Sequence, residues 1–346
     1  MERAPVERAP VDREPVDREP VEPGPVFVAG PERSGTSLLY ALLASHSQLA
    51  MTRRTNLWKH FYLQYGDLSD PANLDRCLET MSRYKRLRVL HVDFRAMRRD
   101  FVAGPPSYPR LFALLEEQYA ARLGRPRWGD KSLHTECWTE PILASYPGAR
   151  ILHMVRDPRD RYASSHTRWK RRGGIGAGMA EWQCSARLAA ENAARFPSRY
   201  LVVRYEDLVA DPEATVRAIC HFVDAPFELA MLAMGGAPRL LDQGSNSSYG
   251  RREAGVIATD SIGRYRSVLS EREIAFAQQR ACDEMQEFGY GFDDVPMGQW
   301  ERARYNLTTL PLERIRGGIW TTVEARRMRR GRPVPDHRLV EAEAPR

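Results

Sequence analysis

Three short apolar runs, each followed by a helical pattern, predict an α/β fold, and a glycine turn with phosphate-loop spacing after the first run refines it. The expected architecture is a single domain: a P-loop-type parallel sheet with helices on both faces. A chain of 346 residues can bury one full core, and 42% hydrophobic against 28% charged residues is the balance of a globular protein.

Residues 2–26 are five copies of a pentapeptide: ERAPV, ERAPV, DREPV, DREPV, EPGPV. Proline in every copy opposes helix and strand pairing alike, and mixed charge without aromatics leaves nothing to bury. Residues 1–25 therefore read as a disordered tail, and the domain is expected over 26–295. Val26-Phe27-Val28-Ala29, stopped by Gly30, reads as a buried parallel strand. From Thr36 the spacing turns helical, with Leu39, Leu42 and Leu43 on one face. Residues 149–155 read as a second strand followed by a helix from Pro158. Residues 200–204 read as a third, before a helix opened by Asp211-Pro212, an N-cap followed by proline. The glycines of residues 173–178 (GGIGAG) follow a helix rather than a strand, so a flexible lid or linker is expected there instead of a dinucleotide loop. Past Tyr290 the strand signals stop. Residues 296–346 read as a basic, partly disordered extension in which residues 326–332 (RRMRRGR) are solvated, with peripheral contact to anionic lipid left open.

Composition narrows the class further. Net charge is +7, but only four of the 52 basic residues are lysines (59, 85, 131 and 170), a bias that is compositional in origin often enough that no nucleic-acid partner is expected. The five cysteines (77, 137, 184, 220 and 282) are scattered, with no CxxC pair or zinc spacing. They read as reduced thiols of a cytoplasmic protein without a metal centre. No apolar run approaches the roughly 18 residues of a membrane helix, and the charged start lacks a signal-peptide core.

The turn after the first strand reads Gly30-Pro31-Glu32-Arg33-Ser34-Gly35-Thr36-Ser37. Its glycines have the G-x4-G spacing of a Walker A loop and Ser37 takes that motif's Ser/Thr place, but Thr36 stands where the lysine belongs. Strand, glycine turn and helix aim backbone N–H groups and the helix dipole at an anion. Arg33 and the hydroxyls of Ser34, Thr36 and Ser37 add donors. Further on, Arg156 ends the second strand and Ser164 follows eight residues later, with Arg168 four beyond it. An arginine at a strand's carboxyl edge grips a phosphate with two prongs, and a hydroxyl from the next helix adds a third bond.

Together these segments resemble the PAPS-dependent sulfotransferases, where PAPS is 3′-phosphoadenosine-5′-phosphosulfate. GPERSGTSLL is similar to their 5′-phosphosulfate loop, in the form found in tyrosylprotein and many bacterial enzymes. The resemblance implies that Arg33, Ser34, Gly35, Thr36 and Ser37 hold the 5′-phosphosulfate, and that Arg156 and Ser164 hold the 3′-phosphate, with Arg168 as a further nucleotide arginine. RYEDL at residues 204–208 resembles the family's YEDL segment, which makes Tyr205 a nucleotide contact. The polar stretch 245–252 and residues 261–266 resemble the loop that closes over the cofactor, with Arg264 as its basic residue.

The family needs no metal, so Arg33 and Lys131 are expected to supply the positive charge. Lys131 lies in residues 128–134 (WGDKSLH), similar to the family's lysine-bearing segment; a simple ion pair with Asp130 is the plainer reading of it. Tyrosylprotein sulfotransferases place a catalytic glutamate past the loop, where this chain has Thr52-Arg53-Arg54-Thr55-Asn56 and no carboxylate. Cytosolic relatives use a histidine after the lysine. His134 is therefore the expected general base, with His60, Asp130 and Glu181 in reserve. The implied function is transfer of a sulfuryl group from PAPS to a hydroxyl or amine of a small-molecule, carbohydrate, lipid or peptide acceptor. A P-loop kinase, or a non-catalytic nucleotide-binding protein on the same fold, is the alternative.

Overall fold

The computed structural model describes residues 22–170, 172–237, 257, 259–331 and 333–340. Most of the repeat tail, the polar stretch 245–252 and the last six residues lie outside the described residues. Five strands form one parallel sheet: β1 Val26–Ala29, β2 Leu49–Arg53, β3 Arg127–Lys131, β4 Arg150–Val155 and β5 Tyr200–Arg204, in the order β2-β3-β1-β4-β5. Side chains alternate across β1. Val26 and Val28 meet Leu39 and Leu42 of α1 (Thr36–Ala44), whereas Phe27 and Ala29 share the opposite core with Phe112 and Leu115 of α2 (Tyr108–Arg122). The register sets Val28 between Lys131 and Leu152. Connections run one way from β1 and the other way from β3 to β4, so β1 and β4 flank a topological switch point, where ligands bind at the carboxyl edge.

The apolar runs at 26–29 and 200–204 are strands, and the run at 149–155 is a strand from Arg150. The sequence reading missed β2 and β3. All five residues of β3 are buried although three are charged, and tertiary contacts engage two of these. Arg127 donates to the Gly24 and Val223 carbonyls, and Asp130 accepts from Thr52 and Thr55.

Three further expectations change. The helix from Pro158 is short: α3 (Pro158–Ala163) ends with Ser164 as its C-cap, and a separate α4 (His166–Lys170) carries Arg168. Ser164 and Arg168 therefore do not ride one continuous helical face. The glycines of 173–178 form no lid or linker; they open the 22-residue helix α5 (Gly174–Arg195) and are largely buried. After β5 comes α6 (Tyr205–Ala210), and the region drawn as an extension carries α7 (Leu310–Arg330), which packs on α5. There the Gly176 N–H donates to Glu313, and a Cβ on Gly176 would overlap the Glu313 carbonyl oxygen, so glycine is what lets the two helices approach. The chain then returns across the domain: Val334 is buried, and the Lys85 ammonium donates to the His337 carbonyl. No helix among the described residues is long and apolar enough to cross a membrane.

Candidate active site

The turn after β1 is wound so that its donors converge. Arg33 and Gly35 both have left-handed φ, 73° and 92°, and Gly35 is the N-cap of α1. A Cβ on Gly35 would lie 2.5 Å from the Tyr205 ring, so glycine serves here both the turn and the close approach. The Gly30 N–H is taken by the buried carboxylate of Glu136 at 3.1 Å, which anchors the start of the turn. The Ser34 hydroxyl is fully buried without a hydrogen-bond partner. Beside it, the first N–H groups of α1 have none within the helix. A buried, unpartnered hydroxyl at a helix N-terminus fits an anionic ligand such as a 5′-phosphosulfate. Thr36 is buried and Ser37 half-buried at the same end of α1.

Arg156, leaving β4, closes the opposite side. Its guanidinium donates to the Arg33 carbonyl (3.2 Å) and the Ser261 carbonyl (2.7 Å), stacks 4.5 Å over the Tyr205 ring, and keeps a buried Nε–H with no partner. Arg33 in turn donates to the Ser164 hydroxyl at 3.1 Å, so the two expected phosphate sites abut. Burial, followed by repulsion from Arg156, Arg168 and Arg264, draws the Arg33 guanidinium below its ordinary range, with Glu32 opposing. The segment bearing Arg264 is tied down by Asp160, which accepts the N–H groups of Gly263 and Tyr265, and by a 2.7 Å bond between Tyr205 and Ser261. Arg264 itself is exposed. Arg168 is turned to Glu32 in an ion pair.

Lys131 ends β3 on the α1 side of the sheet, while Asp130 faces the other side among Thr52, Thr55 and Glu116. A simple Lys131–Asp130 pair is thereby ruled out by the strand pleat, and Asp130 is too enclosed to serve as base. Lys131 is 2% exposed. Burial first, then Arg53 and Arg54, draws its ammonium down to about 7, against the pull of Asp130 and Glu32. His134, in left-handed backbone at the start of the 3-10 turn Thr135–Trp138, reaches a cleft of about 1390 Å³. Its Nε2 stands 3.8 Å from the Glu181 carboxylate. His60, by contrast, is buried edge-on to Tyr84 and does not line the cleft.

Four residues that the sequence reading passed over complete the arrangement. Arg161, fully buried, donates to the Glu32 carbonyl and the Gly178 carbonyl and pairs with Glu181, linking the loop to the His134 partner. Glu32 lines the cleft beside His134, and its place between the two loop glycines was the available signal. Glu136 anchors Gly30 and also accepts from Ser185; burial pushes its carboxyl up, but His153, His134 and its hydrogen bonds together hold it below the ordinary range. Arg54 occupies the cleft wall in the stretch where a carboxylate was sought.

The chain matches the family model described as the Sulfotransferase family over residues 25–228. Protein-tyrosine sulfotransferase A of Caenorhabditis elegans is 23% identical over 210 residues, 59% of this chain and 50% of that protein. A putative protein-tyrosine sulfotransferase of Caenorhabditis briggsae is 23% identical over 219 residues, 60% of this chain and 68% of that one. The chain thus spans about half the length of the first of these relatives. The sulfotransferase domain from the Synechococcus PCC 7002 olefin synthase shares the fold, with a TM-score of 0.58 at 23% identity over 80% of this chain and 99% of that one. The family match begins one residue before β1 and runs past β5, taking in both segments expected to bind phosphate and more than half of the sequence: the chain belongs to the sulfotransferase family.

Proposed function

We propose that the protein is an enzyme that transfers the sulfuryl group of PAPS to a hydroxyl or amine of an acceptor. One observation carries this reading: a helix N-terminus with the buried, unpartnered Ser34 hydroxyl lies between Arg33 and Arg156, in a loop whose Walker lysine is replaced by Thr36. Arg33, Ser34, Gly35, Thr36 and Ser37 hold the 5′-phosphosulfate; Arg156 and Ser164 take the 3′-phosphate, with Tyr205 and Arg264 around the nucleotide and Arg168 at the cleft side. Bound there, the donor supplies an activated sulfuryl group: the acceptor's oxygen or nitrogen bonds to sulfur as the sulfur–oxygen bond to the 5′-phosphate breaks, and that bond's electron pair leaves on the phosphate.

The chain's own groups act on the charges that develop. His134 takes the acceptor's proton at Nε2, and the Glu181 carboxylate 3.8 Å away stabilises the imidazolium that results. Lys131 and Arg33 neutralise the leaving phosphate, an interaction that strengthens as the bond breaks and so lowers the barrier. The enclosed position of Lys131 makes its charge count for more than it does in water. A cytoplasmic setting belongs to the same reading and rests on five cysteines that are all free thiols.

Calorimetry in EDTA tests the donor assignment. The desulfated product PAP is expected to bind more tightly than ATP or AMP without added magnesium. Equal or magnesium-dependent affinity for ATP overturns the reading in favour of a P-loop kinase.

A further inference from the structure

Behind the turn after β1, four buried polar side chains from four elements form a line that ends on it. Tyr200 opens β5, His153 lies on β4 beside Ala29, Ser185 comes from α5, and Glu136 sits in the 3-10 turn Thr135–Trp138. All four are at most 4% exposed, and none lines the cleft. Polar groups so enclosed are costly unless each donor meets an acceptor. Here that matching fixes where each proton sits.

The Gly30 N–H donates to Glu136 Oε2 at 3.1 Å, and the Ser185 hydroxyl donates to Oε1 at 2.7 Å. A hydroxyl has one proton, so Ser185 can only accept at its second contact, His153 Nε2 at 3.0 Å. Nε2 therefore carries a proton. Burial draws the His153 ring below its ordinary range, with Glu136 opposing, so the ring is neutral and Nδ1 is bare. Nδ1 then accepts from the Tyr200 hydroxyl at 2.6 Å. The bonds run one way, from Tyr200 through His153 and Ser185 to Glu136. The opposite order needs a proton on the Glu136 carboxyl, which the two donors already on its oxygens disfavour. At the receiving end Gly30 has φ 118° and starts the turn that carries Arg33 and Ser34. At the other, Glu136 is two residues past His134, and the Asn192 amide of α5 donates to its carbonyl at 3.2 Å. One carboxylate thus joins the two segments that carry the proposed donor contacts and the proposed base.

We propose that Glu136 is a positioning residue kept ionised by this directed chain: its carboxylate fixes Gly30 at the start of the phosphosulfate loop and, from the turn that follows His134, holds the base in register with that loop. This inference rests on the sulfotransferase reading above and adds a residue to the same site.

Nitrogen NMR of the full chain carrying 15N-labelled histidine tests the direction of the chain. In the wild type the His153 ring should be neutral with its proton on Nε2. In Glu136→Gln the amide oxygen keeps the Gly30 N–H and the amide nitrogen donates to Ser185. Ser185 then donates to Nε2, and the ring proton should move to Nδ1. A wild-type ring protonated at Nδ1 alone, or at both nitrogens, overturns the proposal, as does a Glu136→Gln ring unchanged from the wild type. The wild-type spectrum decides the direction even where the variant fails to fold. Calorimetry tests the positioning. Ser185→Ala breaks the chain without removing the charge at Glu136, so long-range repulsion of the ligand stays the same. PAP should bind this variant about tenfold more weakly, roughly the worth of one hydrogen bond to a charged group. Adenosine 3′-phosphate, which has no 5′ group to seat in the loop, should bind it as it binds the wild type. Unchanged PAP affinity overturns the proposal, and so does equal weakening of both ligands, which marks a general loss of structure. Failure of the wild type to bind PAP sinks the sulfotransferase reading, whereas intact PAP binding with the reversed tautomer sinks only this one.

Discussion

Binding of PAP should bring a proton with it, and Lys131 is where that proton goes. The ammonium is buried and drawn down to about 7 by its surroundings. At about pH 8 such a group carries its proton in roughly one molecule in ten. A phosphate arriving 4–6 Å away, at an effective dielectric near 20, stabilises the charged form by roughly 3–4 kcal/mol, or about 2–3 pKa units. The bound state is then almost fully protonated, and uptake amounts to roughly 0.9 proton per PAP. Calorimetry at that pH in two buffers of different ionisation enthalpy reads this number from the difference in heats. Lys131→Met should bind PAP with little or no uptake. An uptake near zero in the wild type, or the same uptake in Lys131→Met, refutes the placement of the leaving phosphate beside this side chain. The unliganded protein gives an independent check. Because the folded value lies below the ordinary lysine value of 10.5, the unfolded state binds more protons between about pH 7 and 10.5. Lys131 therefore adds a rise of stability with pH across that window, and Lys131→Met should lack it in urea titrations.

Arg156→Ala should cut the preference for PAP over AMP by about 10- to 100-fold, the worth of one charged hydrogen bond, measured by competition binding; an unchanged preference places the 3′-phosphate elsewhere. His134→Ala should lower turnover by about 10²–10⁴ with PAP affinity unchanged, read from single-turnover kinetics once an acceptor is in hand. Near-wild-type turnover would transfer the role to another group facing the cleft, Glu32 first. Gly176→Ala should cost about 1–3 kcal/mol in urea unfolding and speed tryptic cleavage within α7, because the new methyl collides with the Glu313 backbone.

What could be read from the chain, and what could not, follows from where each residue finds its partner. β1 and β5, and β4 apart from Arg150 and His153, are largely apolar and announce themselves locally. The strand β3 does not, since Arg127, Asp130 and Lys131 look like surface residues until Gly24, Val223 and Thr52 are brought to them by the sheet. The glycines of α5 misled for a related reason: a run of them signals flexibility when nothing packs on it, and Glu313, 137 residues beyond Gly176, packs on this one. The turn after β1 was legible as a candidate phosphate loop because consecutive residues both make the turn and supply the donors.

The same distinction explains how His134 stood up as a candidate while its surroundings stayed hidden. Its place after Lys131 is a sequence relation, but its reach into the cleft depends on left-handed backbone and on Glu181 from another helix. Arg161 ties these together. It grips the Glu32 carbonyl of the turn after β1 with one prong and the Glu181 carboxylate with another, so the proposed donor loop and the carboxylate beside the proposed base share a single buried cation. On the proposed reading Arg161 is therefore a positioning residue for both ends of the site, acting through bonds already formed in the structure.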